Sequence, residues 1–502
     1  MRKRLGLAAL LAAFASLMLP GAASAQSVAE TLAAKTTEID MLWVAVATVL
    51  VFLMQAGFMF LEIGFSRQKN VGTGVAKILI NLALVTIAWW AIGYGIAEGG
   101  GNDFFGTSGF FFHFDQVVGQ GEEAFNVAAS DAMLMLFGLA FCAVSLAIVW
   151  GTTLERIKFG AYVVYALVFG AVIYPLVAHA VWGGGLLSDV GGKPVMDFAG
   201  SSVVHLTGAV GALAALLLLG PRRGKYDAAG KPRAIPGHSM PLVGLGVIIL
   251  WIGWFGFNGG STYETAGSFF GEVMLNTQLA AAAGVIGASL AVWLKSRTLD
   301  VGMAGNGAIA GLVGITAPAG FVEAWAAPII GFIAGLIVVY AVLAIERLLD
   351  DPVGALSAHG LAGIWGTLAV GVFGSERLVA EGASAGVWYS LFGDVSLSAS
   401  FGQLAVQGLA VAFTFIVVFA ISFATFALIK ATIGLRVSGE EEEAGLDISS
   451  HGMYGYPEQF IPQPEYSTGL PGTIGTGAAV PAASPAQMTA TETTATESRL
   501  EV

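Results

Sequence analysis

Residues 197–222 read DFAGSSVVHLTGAVGALAALLLLGPR, and residues 351–374 read DPVGALSAHGLAGIWGTLAVGVFG. Each is an apolar run of about the length that a hydrocarbon core of roughly 30 Å requires. Each opens on an aspartate and carries a histidine eight residues later, His205 after Asp197 and His359 after Asp351. A carboxylate at a helix start caps orphan N–H groups and suits the positive end of the helix dipole. At 1.5 Å per residue each histidine then lies about 12 Å into the bilayer. An ionisable group at that depth is costly, which marks it as a functional candidate.

Working outward, apolar runs recur from Met41 to Leu435. Eleven spans are expected, over 41–64, 73–97, 131–153, 159–182, 198–220, 239–258, 272–294, 303–318, 326–346, 354–374 and 402–432. The composition agrees: 56% of the 502 residues are hydrophobic and only 11% charged, against roughly 25% charged in soluble domains. That excludes an ordinary soluble enzyme, and no enzymatic activity is expected. The 69 glycines and a mean hydropathy of +0.78 suit closely packed membrane helices. A net charge of −12 would repel nucleic acid.

The ends differ from the middle. Residues 1–25 read as a cleaved signal peptide, with Arg2, Lys3 and Arg4 before an apolar stretch and Ala23-Ser24-Ala25 as a small-residue cleavage site. This places the mature N-terminus outside the inner membrane of a bacterial-type envelope, and an odd number of spans then places the C-terminus in the cytoplasm. The basic residues test that count. Fifteen fall on the expected inner side, Arg67, Arg156, Arg222 and Arg436 among them, against Lys193 and Arg377 in the outer loops, a strong positive-inside bias. After the transmembrane domain (26–435), residues 436–465 read as a cytoplasmic tail and 466–502 as a disordered extension. Leu446, Ile448 and Tyr454, beside the Glu440–Glu443 run, would be wasted on a pure linker, so the tail reads as an interacting segment.

Eleven spans divide into five, five and one. Because five is odd, two related halves are inverted, with the working site near the midplane. The fold class is therefore an all-α polytopic membrane protein, with eleven transmembrane helices in two inverted five-helix repeats plus a C-terminal helix. The paired Asp-x7-His placement is its trace: both histidines approach the midplane from opposite faces.

Six histidines are present. His113, His179, His238 and His451 have plain solvent or interface readings, which leaves His205 and His359. Two facing imidazoles are mostly neutral, because burial and a neighbouring ring both disfavour a second proton. The pair offers one acceptor and one N–H to an apolar path, which suits a small neutral hydrogen-bonding molecule. Zinc would need a third ligand at that depth, and none is seen, so no metal or other cofactor is implied. Cys142, the one cysteine, lies in an apolar run and reads as a small core hydrophobe. Phe137 and Phe141 share a helix face, Phe257 ends the sixth span, and Trp182 and Ser261 fall at the outer face. There an indole ring and a hydroxyl suit a small cation.

These residues carry a resemblance. Asp197 to Arg222, Trp182-Gly-Gly-Gly, Gly253 to Ser261, Ala304-Gly-Asn-Gly-Ala and Asp350-Asp-Pro-Val-Gly through His359 closely resemble, in order, blocks of the ammonium transporters of the Amt/Mep/Rh superfamily, in its bacterial Amt branch. The resemblance covers roughly residues 40 to 456. It implies a homotrimer with one pore per subunit, a tail that packs under neighbouring subunits, and a PII-type signalling protein as cytoplasmic partner. It also implies roles: Phe137, Phe141, Trp182 and Ser261 as an outer cation site, Phe141 and Phe257 as a stacked gate, His205 and His359 as the pore pair and proton relay, and Asp197 as support.

The expected function is ammonium transport. Ammonium and potassium are alike in size and charge, yet ammonium sheds a proton and crosses as NH3, whereas potassium meets the full desolvation cost of an apolar pore. Three alternatives are weighed. A Rh-like gas channel lacks a use for Trp182 and Ser261. An ammonium sensor would act through a partner, since few residues follow the last span. A carrier of another solute would show more intramembrane charge.

Overall fold

The structure is a computed structural model that describes the backbone over residues 2–113 and 122–460 and the side chains over 32–113, 130–457 and 459. The signal-peptide reading over 1–25 lies outside the residues with described side chains. The extension over 466–502 lies outside the described residues altogether.

Among the described residues, ten helices are long and apolar enough to cross a membrane. In chain order they are Leu32–Phe65, Gln68–Ala97, Ser130–Thr152, Phe159–Val181, Ser201–Leu219, Met240–Gly260, Ala266–Ser296, Ala326–Ile345, Leu356–Phe373 and Leu397–Thr432. The remaining expected span, the eighth, is the shorter helix Val301–Thr316. Its 16 residues reach about 24 Å, less than the apolar core. It tolerates this because it is wrapped by spans six, seven, nine and ten, with every residue from Asn306 to Thr316 buried. Its exposed backbone therefore meets protein, not lipid.

The halves repeat. Span one packs on three, two on four and three on five, as six packs on eight, seven on nine and eight on ten. Spans one and six meet along the seam between the halves, and spans five and ten meet at their histidine-bearing ends. The last span lies against spans five and ten. The bundle is thus a multi-pass membrane protein of two inverted five-helix repeats plus one helix. The glycines explain the tightness of the second half: a Cβ on Gly331 would stand 2.0 Å from the Ala280 carbonyl oxygen, and one on Gly335 2.2 Å from that of Gly284. Only a missing side chain lets these backbones approach so closely. The perimeter instead presents Leu42, Val49, Ile248 and Ile416 outward.

Among the described residues, four spans contain a π-helical stretch: Trp89–Gly93, Phe169–Ile173, Ser201–Leu206 and Leu356–Leu361. Such wide turns cluster at functional sites. The last two hold His205 and His359 and are equivalent in the two halves. The regular α-helical rise assumed from sequence therefore does not apply there, but both halves depart from it alike, so the histidines still meet.

Candidate functional site

The fifth span begins in a cradle around Asp197. Its Oδ1 accepts the backbone N–H groups of Gly200 and Ser201, both at 2.8 Å, and its Oδ2 those of Ser202 at 2.9 Å and Val203 at 3.0 Å, with the Ser202 hydroxyl at 2.6 Å. The turn needs Gly200, whose φ of +111° lies in the left-handed region. Asp197 also accepts the Trp182 indole N–H on its backbone carbonyl, at 2.8 Å. Ser201 then ties this end to the eighth span, donating to the Val313 carbonyl and accepting from the Ala317 N–H, each at 2.7 Å.

The tenth span begins on a lighter version of the same device. Asp351 accepts from Gly354 N at 3.1 Å and Leu356 N at 2.8 Å, and it is only half-buried. Its neighbour Asp350 holds Arg222 by three bonds, from the backbone N–H at 2.8 Å and from Nε and Nη2 at 2.9 Å each. Arg156 donates to the Asp350 carbonyl at 2.8 Å. Burial alone would raise the Asp350 pKa; the Arg222 hydrogen bonds and the charges of Arg156 and Arg222 outweigh it and hold the group at about 2.

Between these ends the two histidines touch. The Nδ1 atoms of His205 and His359 are 3.3 Å apart, with ring centroids 5.2 Å apart. One proton shared between two Nδ1 atoms leaves one Nε2 as a donor and the other as an acceptor. The His205 Nε2 is buried and has no partner. Trp254 stacks on His205 at 5.0 Å and 20°, and is itself held by a bond from its Nε1 to the Thr316 hydroxyl at 2.9 Å. Sequence reasoning passed over Trp254, although it sits in the same Gly253–Asn258 block as Phe257.

The aromatic residues line up on one side of the pair. Phe141 and Phe257 stack face to face at 4.0 Å and 12°, and Phe257 lies 5.5 Å from the His205 ring. Phe137 packs on Phe141 at 4.6 Å, and Trp182 meets Phe141 edge-on at 6.2 Å. Outside the stack a cavity of about 560 Å³ is walled by Phe137, Phe141, Trp182 and Ser261, with Glu98 and Tyr263. The last two were not singled out from sequence; Tyr263 has a left-handed φ of +58°. The Ser261 hydroxyl donates to the Phe257 carbonyl at 2.8 Å, which leaves its oxygen lone pairs for a cation. All residues expected at the site therefore converge on one path.

Beyond His359 the path narrows to a pocket of about 20 Å³ lined by Phe58, Ile148, Leu250, Val353 and Glu62. It then widens into a second cavity of about 360 Å³, walled by Arg222, Met303, Asn306, Glu346 and Asp351. Glu62 is 1% exposed and was not singled out from sequence, where it lies near the end of an apolar run. His179 departs from its solvent or interface reading. It is buried, with ring nitrogens 3.0 Å from the Ala97 carbonyl and 2.7 Å from that of Asn102, so it pins the loop after the second span.

The tail is seated on the face that carries the second cavity, against its own chain. Leu446 is fully buried, and Asp447 accepts the N–H groups of Gly72 at 2.9 Å and Thr73 at 2.8 Å, where the second span begins. Glu442 accepts from Arg223 N and Arg436 Nη2, both at 2.7 Å, and Lys69 donates to the Glu442 and Glu443 carbonyls. Arg223 follows the Arg222 that grips Asp350, so tail and tenth span share one charged network.

The chain is similar to known proteins over most of its length. The profile of the Ammonium Transporter Family matches residues 42–456. Ammonium transporter Amt2 of Archaeoglobus fulgidus is 43% identical over 434 residues, covering 84% of this chain and 88% of that protein. The ammonium transporter of Bacillus subtilis is 33% identical, covering 84% and 98%. Among solved structures, a chain described as Sensor Amt Protein is similar with a TM-score of 0.75 at 32% identity, covering 83% of this chain and 99% of that one. Candida albicans Mep2 is similar with a TM-score of 0.70 at 28% identity, covering 80% and 87%.

Proposed function

The chain belongs to the ammonium transporter family, and from that premise we propose that it strips NH4+ of a proton and passes NH3 between His205 and His359, with the proton carried separately. The observation that supports this most is the imidazole contact at 3.3 Å, set between an aromatic stack and a narrow, largely apolar constriction. Phe137, Phe141, Trp182 and Ser261 form the cation site, where the indole face and hydroxyl oxygen replace part of the hydration shell. Phe141 and Phe257 are the gate, opened by rotation of the rings. Once past them a charged species would face several kcal/mol of desolvation, whereas NH3 keeps a hydrogen bond to each imidazole in turn. Asp197 supports His205 by fixing its helix start.

In this reading residues 1–25 direct export and are removed, the Trp182 face lies outside the inner membrane, and the tail lies in the cytoplasm. The protein acts as a homotrimer with a pore in each subunit. Residues 436–465 are regulatory, adjusting the tenth span through Glu442, Arg223 and Arg222, and a PII-type protein meets this face. A second reading, ammonium sensing through such a partner, is favoured by the seated tail, and one similar solved chain bears the name Sensor Amt Protein. Labelled methylammonium uptake into proteoliposomes, with and without an imposed potential, separates the two. Absence of uptake leaves only sensing, and uptake indifferent to potential removes the separate proton.

A further inference from the structure

A proton removed from ammonium must leave the imidazole pair, and the 20 Å³ pocket beyond His359 shows where. A space that size holds about one water molecule. His359 forms one wall and Glu62 another. Both Glu62 carboxylate oxygens are buried and have no hydrogen-bond partner, a costly state for a group whose structural use would be a bond. Glu62 is not isolated. The Lys77 ammonium on the second span is equally buried and equally without a partner. One helical turn further along that span Asn81 bonds Gln55 of the first span at 3.1 Å, and the Gln55 Nε2 is a further orphan. Other charged groups near Lys77 are Arg156 and Glu155, while Tyr162 donates to its backbone carbonyl. A polar seam therefore runs between the first two spans and reaches the path at one residue, Glu62.

We propose that Glu62 is the proton acceptor on the tail side of the histidine pair, with Lys77 as its counter-charge. This rests on the proton-coupled reading above. The step balances without a redox partner. With the pair carrying the proton taken from ammonium, a water in the pocket accepts a proton from His359 Nε2, which breaks that N–H bond and leaves the pair neutral. The water delivers one of its own protons to Glu62, forming a carboxylic O–H. Glu62 then releases the proton to the adjoining 360 Å³ cavity, which shares Asn306 and Val353 with the pocket. Lys77 offsets part of the cost of the charge on the emptied carboxylate, which is then ready for the next proton. NH3, being neutral, needs none of this and passes the apolar wall.

The test uses the full chain in proteoliposomes and records current evoked by ammonium chloride, with its maximal value and KM, for wild type, Glu62→Gln and Glu62→Asp. Removal of a proton acceptor lowers the maximal current at least tenfold in Glu62→Gln with KM unchanged, while Glu62→Asp keeps a measurable part. Should Glu62→Gln not assemble, the charge-balanced double variant Glu62→Gln, Lys77→Met gives the same reading. Wild-type current in Glu62→Gln overturns the role of Glu62 and leaves the proton-coupled reading standing. Equal losses in the Gln and Asp variants with an altered KM mark Glu62 as structural and also overturn it. No current in wild type overturns the coupled reading itself, and Glu62 with it.

Discussion

Asp197 and Asp351 begin the two histidine spans in the same way, yet one is locked and the other is loosely held. Asp197 is buried and receives five hydrogen bonds within its own helix start. Asp351 receives two, stands in the wall of an open cavity, and adjoins Asp350, whose carboxylate is committed to Arg222. Inversion gave both halves the same motif, and the surroundings then gave them different duties. The His205 end is preorganised and fixed. The His359 end is joined by charge to the tail, so an outside influence could act there.

The largest way to break the comparison is to charge the locked end. His205→Asp puts a carboxylate where an unpaired cation is otherwise prohibitively costly, and the rigid cradle gives it no room to withdraw. Potassium flux should rise about a hundredfold, the factor matched by about 2.7 kcal/mol of recovered solvation, with ammonium then crossing as an ion. His205→Ala should instead lose proton-coupled uptake. Potassium-dependent current in reconstituted membranes decides this. Wild type passing potassium as readily as ammonium, or alanine variants of both histidines with unaltered rate and selectivity, would refute the deprotonation mechanism.

The caps themselves should differ next. Asp197→Ala strands four buried N–H groups away from water, at about 1–3 kcal/mol each before relaxation, so a total loss of about 3 kcal/mol or more is expected. Asp351→Ala frees only two amides, one of them that of Gly354 at the cavity wall, and should cost about 1 kcal/mol, as for an ordinary helix cap. Unfolding midpoints in detergent give the ranking; a reversed order would show that burial does not set the difference.

How much of this could be read from the chain depends on the kind of residue. The spans were legible because apolar runs and loop charges signal depth and side, and the histidine pair because two costly residues recur at one spacing. Even the short eighth span was legible as an apolar run, although its shortness makes sense only once its helical neighbours are known. The π-helical turns left no mark, since an extra residue per turn shifts only which positions share a face, and a span that is apolar nearly all round shows no face to shift. Glu62 and Lys77 were hidden for a related reason. Each lies a turn or two inside a span end, where a charge ordinarily reads as interfacial, and only the packing of spans one and two shows that both are buried away from bulk solvent. His179 was misread likewise: its place near a span end suggested an interface, but the loop at 97–102 folds over it.

The outer approach to the locked end is a smaller effect. Trp182 is held by its N–H on Asp197, so its ring face has a fixed position. Trp182→Leu keeps bulk and loses the face, removing about 0.5–2 kcal/mol, or about 2- to 30-fold in apparent affinity. Uptake at low ammonium concentration measures it, and an unchanged affinity would reduce Trp182 to packing.

The smallest effect sharpens the loose end. Truncation after Arg436 removes Glu442 and Asp447, leaving Arg223, Lys69 and the Gly72 and Thr73 amides without the groups that hold them. Arg222 keeps Asp350, so the tenth span is loosened and not released. Coupling between sites of this kind is ordinarily worth about 1–3 kcal/mol, and only one link of the network is cut, so uptake should fall about fivefold with assembly intact. Truncation after residue 466 should change little, because every tail contact described here lies before that point. Asp447→Ala separates docking from mere length: it removes the cap on the second span while keeping the chain whole, and should reproduce most of the loss. Equal uptake by both truncations and the intact protein, measured with labelled methylammonium at matched protein density, would leave the seated tail without influence on the His359 end.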